Sequence, residues 1–418
     1  MTGTKFSGIA SIGEIPAHWK IYRIKSLLSL RSEKNSGDRD LLSVYLDRGV
    51  ISYNDSDGMQ VHKPSADLSN YQNVHIGDFV LNNQQAWRGS VGVSKYDGII
   101  SPAYFVFSLS DKCDPDYMNF LLRDGSMVQQ YETASRGVGT IQRNLYALWF
   151  YESLVALPPL AEQRRIADFL DAKCAEIDAL TADIQAQIDT LEQYKRSVIT
   201  ETVTKGLNPD AETKDSGVFY MAPMNASWRL TKIGYICTKL SRSFVSEDTA
   251  LICSNKGKVQ VRADDLTGIM VSDDNAMQGI CAGDIAIHGM DTWHGAIALS
   301  EFDGKITRVV HVCDSTEDKR FIVYYMQHLA FQGVYKLISN GVRGNTSDFR
   351  SWDKVRDIWI AIPKTRQEQE AICDYLDRQC NAVEEVISTK KQQLEVLATY
   401  KKSLIFEYVT GKKEVPLS

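Results

Sequence analysis

The chain has 418 residues, of which 44% are hydrophobic and 24% are charged, and its formal net charge at pH 7 is −6. This length allows two to four domains with ordinary apolar cores. The sequence contains no run of 18 apolar residues and no apolar signal run near its start, which excludes a membrane-spanning or secreted protein and predicts a cytoplasmic one.

The charge balance also limits how the chain could bind nucleic acid. No large region is basic, so affinity for phosphates would depend on local patches or on a partner subunit. The eight cysteines show neither CxxC pairs nor zinc-ligand spacing, and we expect them to be buried thiols. The sequence therefore predicts no metal site and no cofactor.

Residues 1–160 are predicted to form the first of two globular domains. Short runs rich in β-branched and aromatic residues at 79–83 and 103–109 predict strands. A helix is expected at 115–132. These elements favour a mixed, largely antiparallel α+β domain.

Residues 161–206 are predicted to form a long central helix. They contain neither Gly nor Pro before Gly206, and Pro158-Pro159 comes just before them. The seam of a coiled coil is predicted from apolar residues that recur every seven positions, at Leu170, Ile177, Ile184, Leu191 and Val198. Further apolar residues lie between them at helical spacing, at Ile166, Cys174, Leu180, Ile188 and Tyr194.

Residues 207–365 repeat the first domain, and residues 366–412 repeat the central helix at a fixed offset of 206 positions. In the globular part the offset drifts, as with Gly77-Asp78 and Gly283-Asp284, which indicates small insertions in loops on a shared frame. Strands are predicted at 285–289 and 309–313, and a helix at 320–338. The seam of the distal helix is predicted at Leu376, Val383, Leu397 and Leu404, interrupted by Lys390.

Two sets of loops at equivalent positions are candidates for DNA contact. Asn and Gln pair bidentately with adenine, Arg pairs with guanine, and Arg or Lys binds phosphates. The alternative for each residue is a solvated loop around a core tryptophan. The predicted contacts in the first domain are Arg48, Asn82, Asn83, Gln84, Gln85, Trp87, Arg88, Arg136, Thr140, Gln142, Arg143 and Asn144. Those in the second domain are Lys256, His288, Asp291, Trp293, His294, Asn340, Arg343, Asn345 and Thr346.

Motifs of catalysis do not appear in the sequence. There is no GxxxxGK[ST] loop, and no GxGxxG follows a strand. Leu157-Pro158-Pro159-Leu160 lacks the polar and aromatic flanks of an amino-methyltransferase motif, and the carboxylates at 210–212 lie in a turn-rich linker. His288 and His294 have no further ligands at metal spacing. We therefore predict that the chain is not an enzyme.

Several segments resemble the specificity subunit of type I restriction–modification systems. They are GEIPAHW at 13–19, LPPLAEQRRIADFLDAK at 157–173, the linker around 205–218, and a degenerate second copy, IPKTRQEQEAICDYLDRQ, at 362–379. The resemblance covers essentially the whole chain. It implies two target-recognition domains that each read half of a split site in double-stranded DNA, and two antiparallel helices that set the gap between the halves. It also implies docking of two methyltransferase subunits and of motor-nuclease subunits.

Two other functions remain open on the sequence alone. A protein scaffold would use the long helices as its functional surface and bind peptides with the globular domains. A self-sufficient methyltransferase or nuclease is disfavoured by the missing motifs.

Overall fold

The computed structural model describes residues 3–35, 37, 39–56, 64–65, 67–138, 142–262, 274–339 and 348–416. The chain divides into two compact units. The first contains residues 1–184 and 392–418, and the second contains residues 185–391. Each unit therefore combines one globular region with part of each long helix.

The first unit contains short strands, three short helices and the start of the central helix. Its strands are β1 (Thr4–Phe6), β2 (Glu14–Pro16), β3 (Lys20–Arg23), β4 (Leu28–Leu30), β5 (Leu42–Tyr45), β6 (Gly49–Ser52), β7 (Gln72–Val74), β8 (Phe79–Asn82), β9 (Val91–Val93), β10 (Gly98–Ile100), β11 (Tyr104–Leu109), β12 (Ser135–Val138), β13 (Gln142–Leu145) and β14 (Leu154–Leu157). Its helices are α1 (Pro115–Arg123), α2 (Gly125–Thr133), α3 (Ala147–Phe150) and the first part of α4 (Leu160–Lys205).

The second unit repeats this plan. Its strands are β15 (Thr213–Lys214), β16 (Met224–Asn225), β17 (Arg229–Lys232), β18 (Cys237–Lys239), β19 (Leu251–Ser254), β20 (Lys258–Val261), β21 (Met277–Ile280), β22 (Ile285–His288), β23 (Ile297–Leu299), β24 (Gly304–Thr307), β25 (Val310–Ser315) and β26 (Trp359–Ile362). Its helices are α5 (Ile233–Ile236), α6 (Lys319–Phe331), α7 (Val334–Leu337), α8 (Trp352–Arg356) and the first part of α9 (Arg366–Val409).

Each globular region is built around one four-stranded antiparallel sheet. The strand order is β4-β11-β8-β9 in the first unit and β18-β25-β22-β23 in the second. Phe105 pairs with Leu81 in the first sheet, and Val312 pairs with Ala286 in the second. The predicted strands at 79–83, 103–109, 285–289 and 309–313 all lie in these two sheets.

The same ion pair, between a partly exposed arginine and a buried aspartate, fixes one end of each sheet. Arg31 Nη2 lies 3.1 Å from Asp78 Oδ1, and Arg242 Nε lies 2.6 Å from Asp284 Oδ2. Both carboxylates also accept a hydrogen bond from a backbone N–H three residues earlier in the chain. A buried carboxylate needs such partners because desolvation alone would be costly.

The two long helices pack against each other in an antiparallel sense within each unit. In the first unit Lys401 pairs with Asp178, and Tyr408 stacks near Phe169 with ring centroids 4.6 Å apart. In the second unit Lys195 Nζ lies 2.6 Å from Glu384 Oε1. The helices end where glycine was expected to end them, because Gly206 and Gly411 adopt positive φ angles of 87° and 72°. The predicted α+β fold with two long packed helices is confirmed.

The packed stripe of these helices differs in part from the predicted one. The seam positions are buried or half-buried, but Leu180 and Tyr194 are exposed. Ile166, Cys174 and Ile188, which were predicted in the same set, are buried. Two candidate rows lie next to each other on a helix, and only the partner helix decides which one is covered.

The two expected globular helices are each broken into two. Asp124 interrupts the first with extended backbone, and its side chain caps α2 by accepting a hydrogen bond from Ser126 N. Gly333 interrupts the second with a φ of 71°. Residues 115–132 and 320–338 are therefore not continuous helices.

The predictions about membrane-spanning segments and about the cysteines concern the described helices and thiols. None of the helices there combines the length and apolar character that a membrane crossing needs. All eight cysteines are free thiols, and all but Cys281 are buried.

Candidate nucleic-acid interface

In the first unit, three candidate loops come together at one end of the sheet. They are the β5–β6 turn with Arg48, the segment that follows β8, and the β12–β13 hairpin. Ser90 Oγ donates a hydrogen bond to Val44 O at 3.0 Å, which ties the segment to the turn. Leu145 N donates to Asn83 Oδ1 at 2.9 Å, which ties it to the hairpin. One surface thus collects residues from three distant parts of the sequence.

The segment after β8 divides into internal supports and exposed groups. Asn82 Oδ1 accepts a hydrogen bond from Gln84 N, and Asn83 Oδ1 accepts one from Leu145 N, so both oxygens hold backbone. The Gln84 and Arg88 side chains are exposed, whereas that of Gln85 is half-buried. The groups best placed to reach a ligand here are therefore the Gln84 amide and the Arg88 guanidinium.

Arginines stacked on aromatic rings characterise this surface. The guanidinium carbons of Arg88 and Arg143 lie 5.0 and 4.8 Å from the centroid of the Trp87 ring. That of Arg136 lies 4.1 Å from the centroid of Trp149. Stacking fixes a guanidinium plane while leaving its N–H edges available for a phosphate or a guanine.

The β12–β13 hairpin carries five of the predicted contacts. Arg136 pairs with Asn144 across the two strands, so both side chains leave the same face. Arg143 pairs with Gly137, one position along, and its guanidinium also lies 2.8 Å from Glu132 Oε1. Gln142 belongs to β13, but its side chain and the whole of Thr140 lie outside the described residues.

The second unit brings the equivalent loops together with different chemistry. The β19–β20 turn carries Lys256, and a β-carbon added to Gly257 would lie 3.4 Å from Gly295 O at the end of the equivalent loop. Lys256 and His294 are exposed. These are a primary amine and an imidazole, where the first unit has guanidiniums and amides.

His288 and Asp291 support their own loop. The imidazole Nδ1 accepts a hydrogen bond from Asp291 N at 3.1 Å and lies 3.2 Å from Asp291 Oδ2. Burial lowers the pKa of His288, which favours the neutral ring that can accept this bond, although the Asp291 carboxylate acts in the opposite direction. Asp291 is half-exposed.

Trp293 is only partly open to solvent. Lys336 Nζ lies 5.8 Å from its ring centroid, and its buried indole N–H has no hydrogen-bond partner among the described residues. The remaining predicted contacts of this unit lie outside the described residues: Asn340, Arg343, Asn345 and Thr346.

Sequence reasoning missed three exposed residues beside the first surface. Tyr146, Leu148 and Trp149 come directly after the hairpin and are exposed despite their size. The sequence shows an apolar run at 146–149 in the first copy and a charged run at 350–354 in the second. Both runs lie in poorly aligned loops, so the contrast carried no structural meaning until the hairpin was in place.

Sequence reasoning also missed the residues that hold each globular region on its helix. Gln163 is buried; its Oε1 accepts from Asp114 N at 2.8 Å, and its Nε2 donates to Lys112 O at 2.9 Å. In the second unit Gln369 Oε1 accepts from Asp318 N at 2.9 Å. The exact repetition of these glutamines at the 206-residue offset was the available signal.

A tryptophan beside each of these glutamines completes the attachment. Trp19 Nε1 donates to Glu162 Oε1 at 3.0 Å, and Trp228 Nε1 donates to Glu368 Oε1 at 2.8 Å. Both indoles are almost fully buried. The same Trp, Glu and Gln side chains thus fix how each set of loops is oriented relative to its own helix.

Known proteins resemble this chain in sequence. Residues 16–190 match the model of the type I restriction modification DNA specificity domain. The chain is also 22% identical to a protein of Methanocaldococcus jannaschii named as a type I restriction enzyme MjaX specificity subunit, over 97% of this chain and 96% of that protein. The chain is thus similar to a type I restriction enzyme specificity subunit over nearly its whole length, and to the specificity domain over residues 16–190.

One solved structure shares the fold over nearly the whole chain. A chain in a structure on complex assembly and conformational transition of the type I R-M system superposes with a TM-score of 0.68 at 16% identity, covering 96% of this chain and 99% of that one. The HsdS subunit from Thermoanaerobacter tengcongensis gives 0.48 at 16% identity, covering 96% and 98%. The matched model describes a DNA specificity domain, and the similar protein is named a specificity subunit.

Proposed function

We propose that this chain is a specificity subunit that reads a bipartite target in double-stranded DNA, with residues 1–160 recognising one half and residues 207–365 the other. The observation that carries the proposal is the pairing of one frame with two loop chemistries. The sheets, the arginine–aspartate ion pairs and the helix attachments are repeated, whereas the loops present arginines and amides in one copy and Lys256 and His294 in the other. Equal frames with unequal loops suit two different half-sites.

The exposed groups are proposed to differ in which part of the DNA they contact. Gln84, Arg88, Arg136 and Asn144 are proposed to contact base edges, since amides and guanidiniums offer bidentate pairs to adenine and guanine. Arg48 and Lys256 lie on equivalent turns and are proposed to bind phosphates.

The long helices, 161–206 and 366–412, are proposed to set the gap between half-sites and to dock two methyltransferase subunits, with motor-nuclease subunits joining through them. The equivalent bridges Lys401–Asp178 and Lys195–Glu384 support a fixed register between the helices. Exposed apolar residues also recur at the 206-residue offset: Leu180 and Val386, and Tyr194 and Tyr400. Two copies of one exposed surface suit two copies of one partner.

Sequencing of methylated adenines in a host that expresses the chain with its methyltransferase tests the recognition role. The proposal expects one asymmetric motif made of two short specified blocks separated by unspecified bases. A single continuous motif would contradict two-part reading. Absence of any motif, together with no sequence preference of the purified assembly in high salt, would favour the scaffold function instead.

Insertion of whole heptads into both helices tests the spacing role separately. Seven residues lengthen a helix by about 10 Å, which corresponds to about three base pairs of B-DNA. Each inserted heptad pair should therefore lengthen the unspecified gap by about that amount while both blocks stay the same. An unchanged gap would refute the spacing role without affecting the recognition role.

A further inference from the structure

A short exposed turn next to the loops of the first unit has no role in the function proposed so far. Leu148 in α3 is 78% exposed, and its neighbours Tyr146 and Trp149 are 49% and 40% exposed. Single exposed apolar side chains are common, but a group of three large ones on one turn indicates an interaction surface.

The turn is held firmly by what comes before and after it. Leu145 and Phe150 are both buried in the main core of the first unit. Leu145 N is bonded to Asn83 Oδ1, and Tyr146 N donates to Ala134 O at 2.9 Å. The exposed side chains are therefore presented in a fixed position beside the candidate DNA loops, without a loss of loop entropy on binding.

The surroundings of the turn decide what kind of partner fits it. The Arg136 guanidinium covers the Trp149 ring, and the Tyr146 and Trp149 rings lie 5.2 Å apart. Arg88 and Arg143 stack on Trp87 in the adjoining segment. A partner has to contact the exposed Arg88 and Arg136 guanidiniums and the apolar Leu148 side chain at once. Duplex DNA does so, because its phosphates lie outside and its stacked bases can open to admit an apolar side chain.

The second unit lacks this feature at the equivalent turn. Val355 is the buried residue that corresponds to Phe150, and Asp353 occupies the position of Leu148 two residues earlier. Lys354, which corresponds to Trp149, is paired with Asp348. A charged tip of this kind cannot enter a base stack.

We propose that Leu148 inserts between two base pairs of the half-site read by residues 1–160, with Tyr146 and Trp149 lying against the opened step. The second half-site is read without insertion. This inference rests on the proposed function, since it assumes that the loops of the first unit bind DNA. It adds that the first half-site is recognised in part through the deformability of its sequence, including a step that no polar side chain contacts.

The test uses the full chain with its methyltransferase and a duplex that carries the motif defined by adenine methylation. 2-Aminopurine replaces one base at a time in each half-site, always away from the methylated adenine, so that base flipping by the methyltransferase is not measured. With the unsubstituted chain, fluorescence should rise several-fold at one step of the first half-site and at none of the second. Leu148→Ala should abolish the rise and Leu148→Phe should keep it.

Affinity measured against salt concentration separates insertion from phosphate binding. Leu148→Ala should weaken binding by roughly 10-fold with an unchanged dependence on salt, because no phosphate contact is lost. Arg48→Ala should instead reduce the slope of log affinity against log salt by about 0.9, because that guanidinium is proposed to bind one phosphate. Ile76→Ala removes a similarly exposed apolar side chain at the far end of β8 and should change neither quantity.

Three results would overturn the inference. They are no fluorescence rise with the unsubstituted chain, a rise that persists in Leu148→Ala, and loss of the methyltransferase subunit on Leu148→Ala, which would make the turn a protein contact. Each of these is compatible with a two-block methylation motif, so the inference can fail while the proposed function stands. Thermal unfolding of Leu148→Ala should match that of the unsubstituted chain, because the removed side chain is exposed.

Discussion

The attachment of the first globular region to the central helix should depend strongly on one buried amide. Gln163 is 1% exposed, and its side chain makes three hydrogen bonds to backbone, with Asp114 N, Lys112 O and Pro158 O. Gln163→Ala removes all three at once. It leaves an N–H and two carbonyls without these partners in a place that water enters poorly.

The expected cost follows from those orphaned groups. A buried donor or acceptor left without its partner costs about 1–3 kcal/mol, so one N–H with two carbonyls gives about 3–9 kcal/mol in total. Domains of ordinary size are stable by only about 5–15 kcal/mol, so the first unit should approach its threshold of stability. Gln163→Glu keeps the shape and the acceptor but loses both donors, and it should be similarly destabilising.

Urea unfolding and amide hydrogen exchange together measure this effect. The unfolding free energy should fall by the stated amount, and the Asp114 amide should exchange much faster in Gln163→Ala than in the unsubstituted chain. Gln393→Ala removes an exposed glutamine of the distal helix within the same unit and should change stability by less than about 0.5 kcal/mol. A loss below about 1 kcal/mol for Gln163→Ala, with Asp114 exchange unchanged, would refute the attachment role.

Three further substitutions test the packing of the units. Burial lowers the pKa of His328 to about 4. As the pH falls below about 6.5, the unfolded chain therefore takes up a proton on this imidazole before the folded chain does, and the free energy of unfolding falls by about 2 kcal/mol at pH 5. Urea unfolding of His328→Asn should lack that loss. Gly98→Ala would bring a β-carbon within 2.5 Å of Asp40 O and should lower the unfolding free energy by about 1–3 kcal/mol, whereas Gly125→Ala, which meets nothing within 4 Å, should not lower it. Glu384→Gln breaks a partly exposed bridge to two lysines and should cost at most about 1 kcal/mol, less in high salt; a larger cost that ignores salt would contradict this.

The features that the sequence predicted well depend on short-range patterns. The two long helices follow from a heptad repeat that glycine terminates, and the central strands follow from β-branched and aromatic runs. The repeat also placed the candidate loops at equivalent positions. Each of these patterns can be recognised within a single segment, or by comparing two segments of the sequence.

The features that the sequence predicted poorly depend on what a segment packs against. Leu180 fits the helical spacing as well as Ile188 does, and only the partner helix leaves the first exposed and buries the second. Asp124 looks like an ordinary helix residue until its side chain caps α2. Asn83 looks like a reader of bases, but its Oδ1 accepts a hydrogen bond from a strand 62 residues away.

The stacked arginines show the same limit at the candidate interface. Arg136 and Trp149 are 13 positions apart, and nothing in the sequence indicates that one covers the other. Their contact requires the β12–β13 hairpin to fold back onto α3. Composition therefore suggested candidate residue types for DNA contact, and tertiary structure determined which of their polar groups remain accessible.

Exchange of one globular region tests the central claim most directly. Residues 1–150 would be replaced by the equivalent residues of another family member, and methylated adenines would be sequenced in a host that supplies the methyltransferase. We expect one block of the methylated motif to change while the other block and the gap stay the same. A motif unchanged in both blocks, or changed in both, would contradict recognition by two independent domains.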